Sequence, residues 1–221
     1  MATVMARDGS DTVPLLCRKS GSMNFYTVDF NYVEFLKCAE EKYRGFTRVP
    51  KMDYGKERKP KFLLGVVLQV NNMDYYVPVT SYKLKKPDNF LIEANNGQIV
   101  SSLRFNYMFP VPPFTVSLRR IDAEPDRAYR ALLAQELRYC LHHEEDIKHL
   151  AQRTYKKVIL GKDQGLVVNS CHFPLLEEKC REYIVLAEKE ALAAQVIAEA
   201  EQEATELLAQ KPDAPARGQH R

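Results

Sequence analysis

Regular spacing of hydrophobic residues begins at Met23, after a polar and aperiodic stretch over residues 1–22. Asn24–Val28 is predicted to form a short strand. The helix that follows is capped by Asp29 or Asn31, since either side chain can accept hydrogen bonds from free backbone N–H groups. Its apolar residues recur at helical spacing: Tyr32, Val33, Leu36 and Ala39.

Two extended segments with basic flanks form the centre of the pattern. The largely apolar run Lys61–Val70 is rich in β-branched residues, which is typical of a strand buried on both faces. Asn71–Asp74 has turn chemistry, because Asn and Asp tolerate left-handed backbone angles. Tyr75–Val79 is extended again, so the pattern predicts a β-hairpin.

Shorter extended segments continue the sheet. The pattern predicts strands at Phe90–Ile92 and Gln98–Phe105 and an edge strand at Thr115–Arg119. Met108–Pro113 is expected to be an extended connection, because proline removes backbone donors from a sheet. We therefore expect an antiparallel sheet of about five or six strands in the first two-thirds of the chain.

The last third is predicted to be helical. Apolar residues recur at helical spacing over Ala128–His149 and again over Asp146–Leu160, before Gly161 and Gly165 break the pattern. The terminal helix starts at Phe173, with a proline in its first turn.

The end of that helix differs in composition from its beginning. Ala187–Leu208 is rich in Ala and Glu and has few large apolar residues, so it is expected to be a solvated extension. The predicted organisation has four parts: a disordered tail (1–22), one domain (23–184), a helical extension (185–210) and a second disordered tail (211–221).

Charge is unevenly distributed along the 221 residues, although the net charge is only +3. Residues 182–210 contain seven Glu and one Lys, which leaves 31 Lys and Arg against 22 Asp and Glu elsewhere. A basic body suits a polyanionic partner. The loop before the hairpin is especially basic and ends in Arg58 and Lys59, which we expect to contact nucleic acid.

The composition also bears on location. There is no run of 18 apolar residues for a membrane helix, and the first 22 residues lack the apolar core of a signal peptide. The five cysteines are odd in number and scattered, as expected for reduced thiols. We therefore expect a cytoplasmic protein that does not interact with a membrane.

Four polar residues are candidates for chemistry at one end of the predicted hairpin. Lys61 begins the first strand, while Thr80, Ser81 and Lys83 follow the second. In an antiparallel pair these two ends lie side by side, so the four residues are expected to share one edge. Ammonium and hydroxyl donors together form a phosphate-binding set. The alternative is a turn at Thr80 and Ser81 with solvated lysines.

The functional hypothesis for these residues is RNA cleavage by attack of the ribose 2′-OH on the adjacent phosphorus. This chemistry needs help with two proton transfers and donors for the phosphoryl oxygens, which lysines and hydroxyls supply. The 12 tyrosines provide rings on which unpaired bases can stack. No nucleotide-binding glycine loop or metalloprotease motif is present, and His142, His143 and His149 are interpreted as solvated helix residues, so no metal or cofactor is expected.

At the level of whole segments, the chain resembles the ToxN/AbiQ endoribonuclease toxins of type III toxin–antitoxin systems. The matching segments occur in family order between about Met23 and Tyr183. They are FYTV (25–28), KPKFLLGVVL (59–68), VPVTSYK (77–83), LRFNYMFPVPP (103–113), the block 129–139 and FPLLEEKCREY (173–183).

The resemblance implies an α+β fold with an antiparallel, strongly twisted, MazF/Kid-like β-sheet core, flanking helices and a long C-terminal helix. It implies metal-independent cleavage of mRNA that leaves a 2′,3′-cyclic phosphate. The implied inhibitor is an antitoxin RNA, a small repeated pseudoknot, bound in a closed toxin–RNA hetero-oligomer with a role in abortive infection by phage.

The resemblance also implies site residues. The family lysine falls on Lys61, and the family Thr-Ser-x-Lys falls on Thr80, Ser81 and Lys83. A family tyrosine near the start of the first long helix corresponds to Tyr129. The further RNA-binding candidates are Tyr54, Arg58, Lys59, Tyr82, Lys85 and Lys86.

Two other hypotheses remain open from the sequence. One is a non-catalytic RNA-binding protein that uses the same basic sheet edge. The other is an interaction protein that works through its helices, with the sheet as a support.

Overall fold

The computed structural model describes residues 22–52 and 61–209, without the side chains of 207–209. Apart from Ser22, the tails predicted at 1–22 and 211–221 lie outside the described residues. The chain divides into two units after Cys180.

Seven strands of the described chain form one antiparallel sheet: β1 (Asn24–Val28), β2 (Leu63–Val70), β3 (Met73–Thr80), β4 (Asn89–Glu93), β5 (Ile99–Arg104), β6 (Phe109–Pro110) and β7 (Val116–Leu118). Their order is β4-β5-β3-β2-β1-β7, with β6 paired to β3. The predicted antiparallel sheet is therefore confirmed. It has one strand more than expected, because Phe109 and Pro110, predicted as a connection, pair with Tyr76 and Tyr75.

The predicted hairpin is confirmed as β2 and β3, with a shorter turn than expected. Only Asn71 and Asn72 form the turn, and both have positive φ angles, 51° and 60°. Two-residue hairpin loops favour this geometry because it matches the twist of the strands, and Asn tolerates it. Met73 and Asp74, predicted as turn residues, already belong to β3.

Close packing in the hairpin requires a glycine at Gly65. A Cβ atom added there would overlap with the ring of Tyr76, which is fully buried in β3. The position therefore excludes any larger residue unless the ring moves.

The described chain contains five α-helices: α1 (Phe30–Arg44), α2 (Arg127–His142), α3 (Glu144–Ile159), α4 (Gln164–Val168) and α5 (Phe173–Ala209). Asp29 is the residue that caps α1, since its carboxylate accepts from Tyr32 N at 3.0 Å. Of the predicted apolar face of α1, Tyr32, Val33 and Leu36 are buried and Ala39 is partly exposed. The Tyr32 hydroxyl donates to the Pro110 carbonyl at 2.6 Å. This bond ties the first helix to β6.

The helical pattern predicted over Ala128–His149 and again over Asp146–Leu160 corresponds to two helices, with the boundary between them earlier than His149. Helix α2 stops at His142, and α3 starts at Glu144 with three acidic residues in its first turn. Acidic side chains stabilise a helix N-terminus, and this signal marked the start of a new helix. Gly161 ends α3 with a φ of 64°, as predicted, whereas Gly165 lies inside α4.

The second unit contains the distal part of α5. Every side chain from Glu188 to Glu206 is exposed, within the segment predicted to be a solvated extension. Among the described residues, no helix is both long and apolar enough to cross a membrane.

Candidate functional site

The sheet opens into a cavity of about 900 Å³ at the end of the hairpin opposite its turn. The residues just before β2, the end of β3, β5, the loop after α1 and the first half of α2 line it. Its lining cations among the described residues are Arg48, Lys61 and Arg104, and Glu136 is the lining carboxylate. The surface is therefore positive overall.

The hairpin register brings Lys61 beside Thr80. Leu63 pairs with Pro78, so the positions two residues further out, 61 and 80, lie at the same level. Lys61, Thr80 and Ser81 all line the cavity, as the sequence predicts for three of its four catalytic candidates. Lys83 is exposed and is not among the lining residues, so the structure does not bring it to this cavity.

The residues on both sides of Ser81 contact β5. Thr80 pairs with Ser102 across the sheet, and the buried Ser102 hydroxyl donates to the Tyr82 carbonyl. Ser81 itself is exposed. The arrangement fixes the backbone and leaves the Ser81 hydroxyl accessible to a bound molecule.

Tyr129 lines the same cavity from the first turn of α2. Asp126 caps this helix by accepting from Ala128 N and Tyr129 N at 3.0 and 3.1 Å. Burial raises the pKa of the Tyr129 phenol, while the Arg119 guanidinium, 5.8 Å from the ring centroid, opposes this effect. The phenol is therefore neutral at neutral pH.

Arg104 is a cavity residue that sequence reasoning missed. Its guanidinium carbon lies 4.9 Å from the ring centroid of Tyr82 and 4.4 Å from that of Tyr107, and all three residues line the cavity. A guanidinium over an aromatic ring is attracted to the electron-rich face of that ring, which favours this arrangement of the three side chains. The segment 103–113 was noted for its family resemblance, but the strand register that turns Arg104 to the cavity is a long-range property.

Arg48 was also missed as a cavity residue, and a buried carboxylate positions its loop. Glu40 is 0% exposed and accepts five hydrogen bonds from main-chain and side-chain donors. The donors are Arg44 Nη1 (3.0 Å), Thr47 Oγ1 (2.7 Å), Arg48 N (2.6 Å), Val49 N (3.2 Å) and His172 N (2.7 Å). The only sequence signal for this role was a glutamate inside the apolar face of α1.

Glu136 lines the positive cavity although it is only 4% exposed. Burial raises the pKa of its carboxyl, against a smaller opposite effect of the Ser101 hydroxyl. A buried carboxyl with a raised pKa in a cavity is a feature of sites that bind ligands or transfer protons.

The other predicted RNA-binding residues are spread around this cavity. Tyr82 lines it, whereas Lys85 is exposed and outside it. Lys86 lines a neighbouring cavity of about 390 Å³, with its ammonium 5.6 Å from the Tyr82 ring centroid. Tyr54, Arg58 and Lys59 lie outside the described residues.

No group of three or more His, Cys, Asp or Glu side chains with metal-binding geometry occurs within residues 22–52 and 61–206. His142 and His143 meet edge to face at the end of α2, and Asp146 lies 3.4 Å from His143.

Fold and site together define a small α+β protein with a cationic, tyrosine-lined cavity at a strand end. Residues 24–181 match the family model of toxin ToxN from type III toxin–antitoxin systems. The chain belongs to this family of toxins.

Several named relatives agree with this assignment. The chain is 28% identical to endoribonuclease ToxN of Pectobacterium atrosepticum, over 73% of this chain and 94% of the relative. It is 25% identical to endoribonuclease AbiQ of Lactococcus lactis subsp. lactis, over 73% and 90%. The family members compared in this way are endoribonucleases.

Solved structures show the same fold. One, from work on selective toxin inhibition by a non-coding RNA pseudoknot in type III systems, has a TM-score of 0.64 and 25% identity, covering 74% of this chain and 98% of that one. Another, from work on a processed non-coding RNA that regulates a bacterial antiviral system, has a TM-score of 0.63 and 27% identity, covering 72% and 98%. The structure of AbiQ, a lactococcal anti-phage endoribonuclease, has a TM-score of 0.62 at 23% identity and covers 98% of its chain.

Proposed function

We propose that this toxin is an endoribonuclease and that the cavity around Lys61, Thr80 and Ser81 is its active site. The observation that carries the proposal is that Lys61 and the pair Thr80 and Ser81, from two separate segments, line one positive cavity. The endoribonuclease names of its relatives support the same activity.

The proposed reaction is an attack of the ribose 2′-OH on the adjacent phosphorus. A bond from O2′ to phosphorus forms while the bond from phosphorus to O5′ breaks, which leaves a 2′,3′-cyclic phosphate and a 5′-hydroxyl. The 2′ proton passes to a base, and O5′ takes up a proton as it leaves. No step requires a metal ion if ammonium and hydroxyl groups stabilise the phosphoryl charge.

The geometry suggests a role for each cavity residue. We assign to the Lys61 ammonium and to the Thr80 and Ser81 hydroxyls the role of donors to the non-bridging oxygens, because all three residues line the cavity. We assign to the neutral Tyr129 phenol, which lines the cavity from α2, the donation of a proton or hydrogen bond to the RNA. Lys85 keeps its proposed role in contacts to phosphates outside the cavity, as do Arg58, Lys59 and Tyr54 in the loop before β2. For Lys83, which does not line the cavity, we propose a phosphate contact in place of the catalytic role.

We further propose that an antitoxin RNA with repeated pseudoknots inhibits the enzyme and assembles with it into a closed hetero-oligomer. The solved relatives that concern a pseudoknot RNA and a regulatory non-coding RNA support this partner. The substrate is mRNA in the cytoplasm, and the proposed role is abortive infection by phage. The antiparallel strand order also supports a MazF/Kid-like core, which superposition on such toxins will test.

The decisive experiment compares wild-type protein with Ser81→Ala. We expect wild-type expression to be toxic and to cleave cellular RNA, and Ser81→Ala to lower cleavage about a hundredfold or more, as for loss of one donor to a charged transition state. Ser117→Ala, an exposed serine of the edge strand β7, serves as the matched control and keeps wild-type activity. A folded Ser81→Ala protein with wild-type cleavage would show that Ser81 is not catalytic.

Two further measurements test the chemistry. Cleavage is expected to continue in EDTA, and an RNA with 2′-deoxyribose at the scissile position is expected to resist cleavage. Mass spectrometry of the products is expected to show the cyclic phosphate. RNA that is bound but never cleaved would instead favour the non-catalytic RNA-binding protein.

A further inference from the structure

A second cavity, of about 390 Å³, shares a wall with the active-site cavity. Arg104 and Tyr107 line both of them. The other side of the second cavity is formed by α3 and by the segment around α4, neither of which lines the first. The two cavities are therefore neighbours along one surface, with one arginine–tyrosine pair between them.

The second cavity carries a positive charge. Lys86, Arg104, Arg153 and Lys157 line it, against Asp88 and Asp163. The Asp163 carboxylate is engaged locally, because it accepts from Leu166 N at 2.9 Å as the cap of α4. Arg153 and Lys157 lie one turn apart on α3, both exposed, and within the described ranges no carboxylate lies within salt-bridge distance of either.

The lining of the second cavity includes two residues with polar atoms that the described structure does not satisfy. Arg104 Nε and Asn106 Oδ1 are buried without a hydrogen-bond partner within the described structure. Asn106 is 1% exposed and its orientation is fixed, since its Nδ2 donates to the Asn169 carbonyl at 2.7 Å. A buried polar atom without a partner is unfavourable and therefore rare in folded proteins, and a bound molecule that pairs with it removes the penalty.

Aromatic rings connect the two cavities. Tyr82 lies in the first, and both the Arg104 guanidinium and the Lys86 ammonium lie over its ring, at 4.9 and 5.6 Å. Tyr107 borders both cavities. Rings flanked by cations are suited to a single-stranded nucleic acid, because bases stack on the rings and phosphates meet the cations.

From these observations we infer that the second cavity is a binding subsite for single-stranded RNA. It holds the phosphates of the strand next to the scissile phosphate, which pass over Arg104 and then contact Lys86, Arg153 and Lys157. This inference rests on the proposed function, because it extends the RNA held at Ser81. It predicts that affinity depends on RNA length, with only longer strands reaching α3.

The test uses the Ser81→Ala protein and fluorescein-labelled single-stranded RNAs of mixed sequence, about 4 and about 16 nucleotides long. Arg153→Gln/Lys157→Gln is expected to weaken binding of the long RNA about tenfold and leave the short RNA unaffected. Two lost phosphate contacts also lower the salt dependence of log Kd by about 1.4, at about 0.7 for each contact on a single strand. Anisotropy titrations at several salt concentrations measure both effects.

Two control variants make the result specific. Lys148→Gln/Lys156→Gln removes two cations from the same helix that do not line the second cavity, and it is expected to bind the long RNA normally. Arg153→Lys/Lys157→Arg keeps both charges and is expected to retain most of the affinity. Equal losses in the two glutamine variants, or no loss at Arg153 and Lys157, would overturn the inference.

The outcome is separable from that of the proposed function. If wild-type protein cleaves RNA but the Arg153/Lys157 variant binds long RNA normally, the subsite is wrong and the active site stands. If the variant loses long-RNA binding but wild-type protein cleaves no RNA, the subsite stands and the endoribonuclease proposal fails.

Discussion

The buried Ser102 hydroxyl donates a hydrogen bond to the Tyr82 carbonyl, joining β5 to the residue directly after Ser81. Ser102 also pairs with Thr80, on the other side of Ser81. A residue without any contact to the proposed substrate thus determines the path of the main chain that carries the proposed catalytic hydroxyl. This predicts a strong dependence of activity on a serine that is itself inaccessible.

Ser102→Ala is expected to lower the cleavage rate about tenfold to a hundredfold, because small displacements of a reacting group have effects of that size. The matched control is Ser170→Ala, another fully buried serine, whose hydroxyl donates to the Leu166 carbonyl at 2.7 Å outside the active-site cavity. Both variants are expected to lose about 1–2 kcal/mol of stability. Equal cleavage by the two variants, measured alongside their unfolding in urea, would contradict the positioning role of Ser102.

Glu40→Gln tests the support of the Arg48 loop. The carboxylate is fully buried and accepts from Arg44 and from the loop, so its neutralisation leaves donors unpaired and is expected to cost about 3 kcal/mol. Glu34→Gln is the control, because Glu34 pairs with Lys37 on the same helix but is 35% exposed. That change is expected to cost about 0.5 kcal/mol or less. Urea unfolding measures both, and a similar cost for the two would show that Glu40 is not the centre of the network.

Local sequence signals were sufficient for the hairpin, for the start of α1 and for the end of α3. The Asn pair at 71–72, the cap at Asp29 and the break at Gly161 all act through their immediate backbone, and each was predicted. The meeting of Lys61 with Thr80 followed as well, because the partner strands of a hairpin are adjacent in sequence. For this reason three of the four catalytic candidates were found in one cavity.

Long-range pairing produced what the sequence did not predict. Arg104 lies in the cavity because β5 pairs with β3, and this pairing joins residues more than 20 positions apart. The position of Arg48 depends on a hydrogen bond from its main-chain N–H to Glu40 on α1. The position of Arg153 depends on how α3 packs. Conversely, Lys83 lies outside the cavity, since the chain has left the sheet at Ser81 and no pairing directs the lysine inward.

Removal of the residues after Leu186 is expected to leave stability and cleavage unchanged. The side chains from Glu188 to Glu206 are exposed, so their loss uncovers little apolar surface, and we expect less than about 0.5 kcal/mol of change. The lost segment is acidic, so RNA affinity is expected to be equal or slightly higher at low salt. Size-exclusion chromatography with antitoxin RNA, in the Ser81→Ala background, is the measurement. Aggregation, or failure to form the complex, would instead assign this segment to assembly.

Glu136→Gln is expected to change how the stability of the protein depends on pH. The direction of the change follows from the raised pKa of the Glu136 carboxyl. Burial raises the pKa of the Glu136 carboxyl in the folded protein above its unfolded value, so folding favours the protonated form. Its favourable contribution is therefore complete below the unfolded pKa and is lost as pH rises through the folded pKa. Glutamine has nearly the same shape but does not ionise, so the variant does not lose stability in this way as pH rises. The stability of the variant relative to wild type is expected to increase with pH from about 4.5 upward and then level off.

The control for this measurement is Asp122→Asn. A hydrogen bond from Arg120 lowers the pKa of the exposed Asp122 carboxyl, so the wild-type residue stabilises the protein as pH rises, and the slope has the opposite sign. Urea unfolding of the three proteins between about pH 4 and 8 compares the slopes. RNA affinity adds a second readout, since removal of a carboxylate from the positive cavity is expected to tighten binding severalfold. A pH-independent difference between Glu136→Gln and wild type would mean that Glu136 is not protonated more readily in the fold, and that its charge is matched by a neighbouring cation.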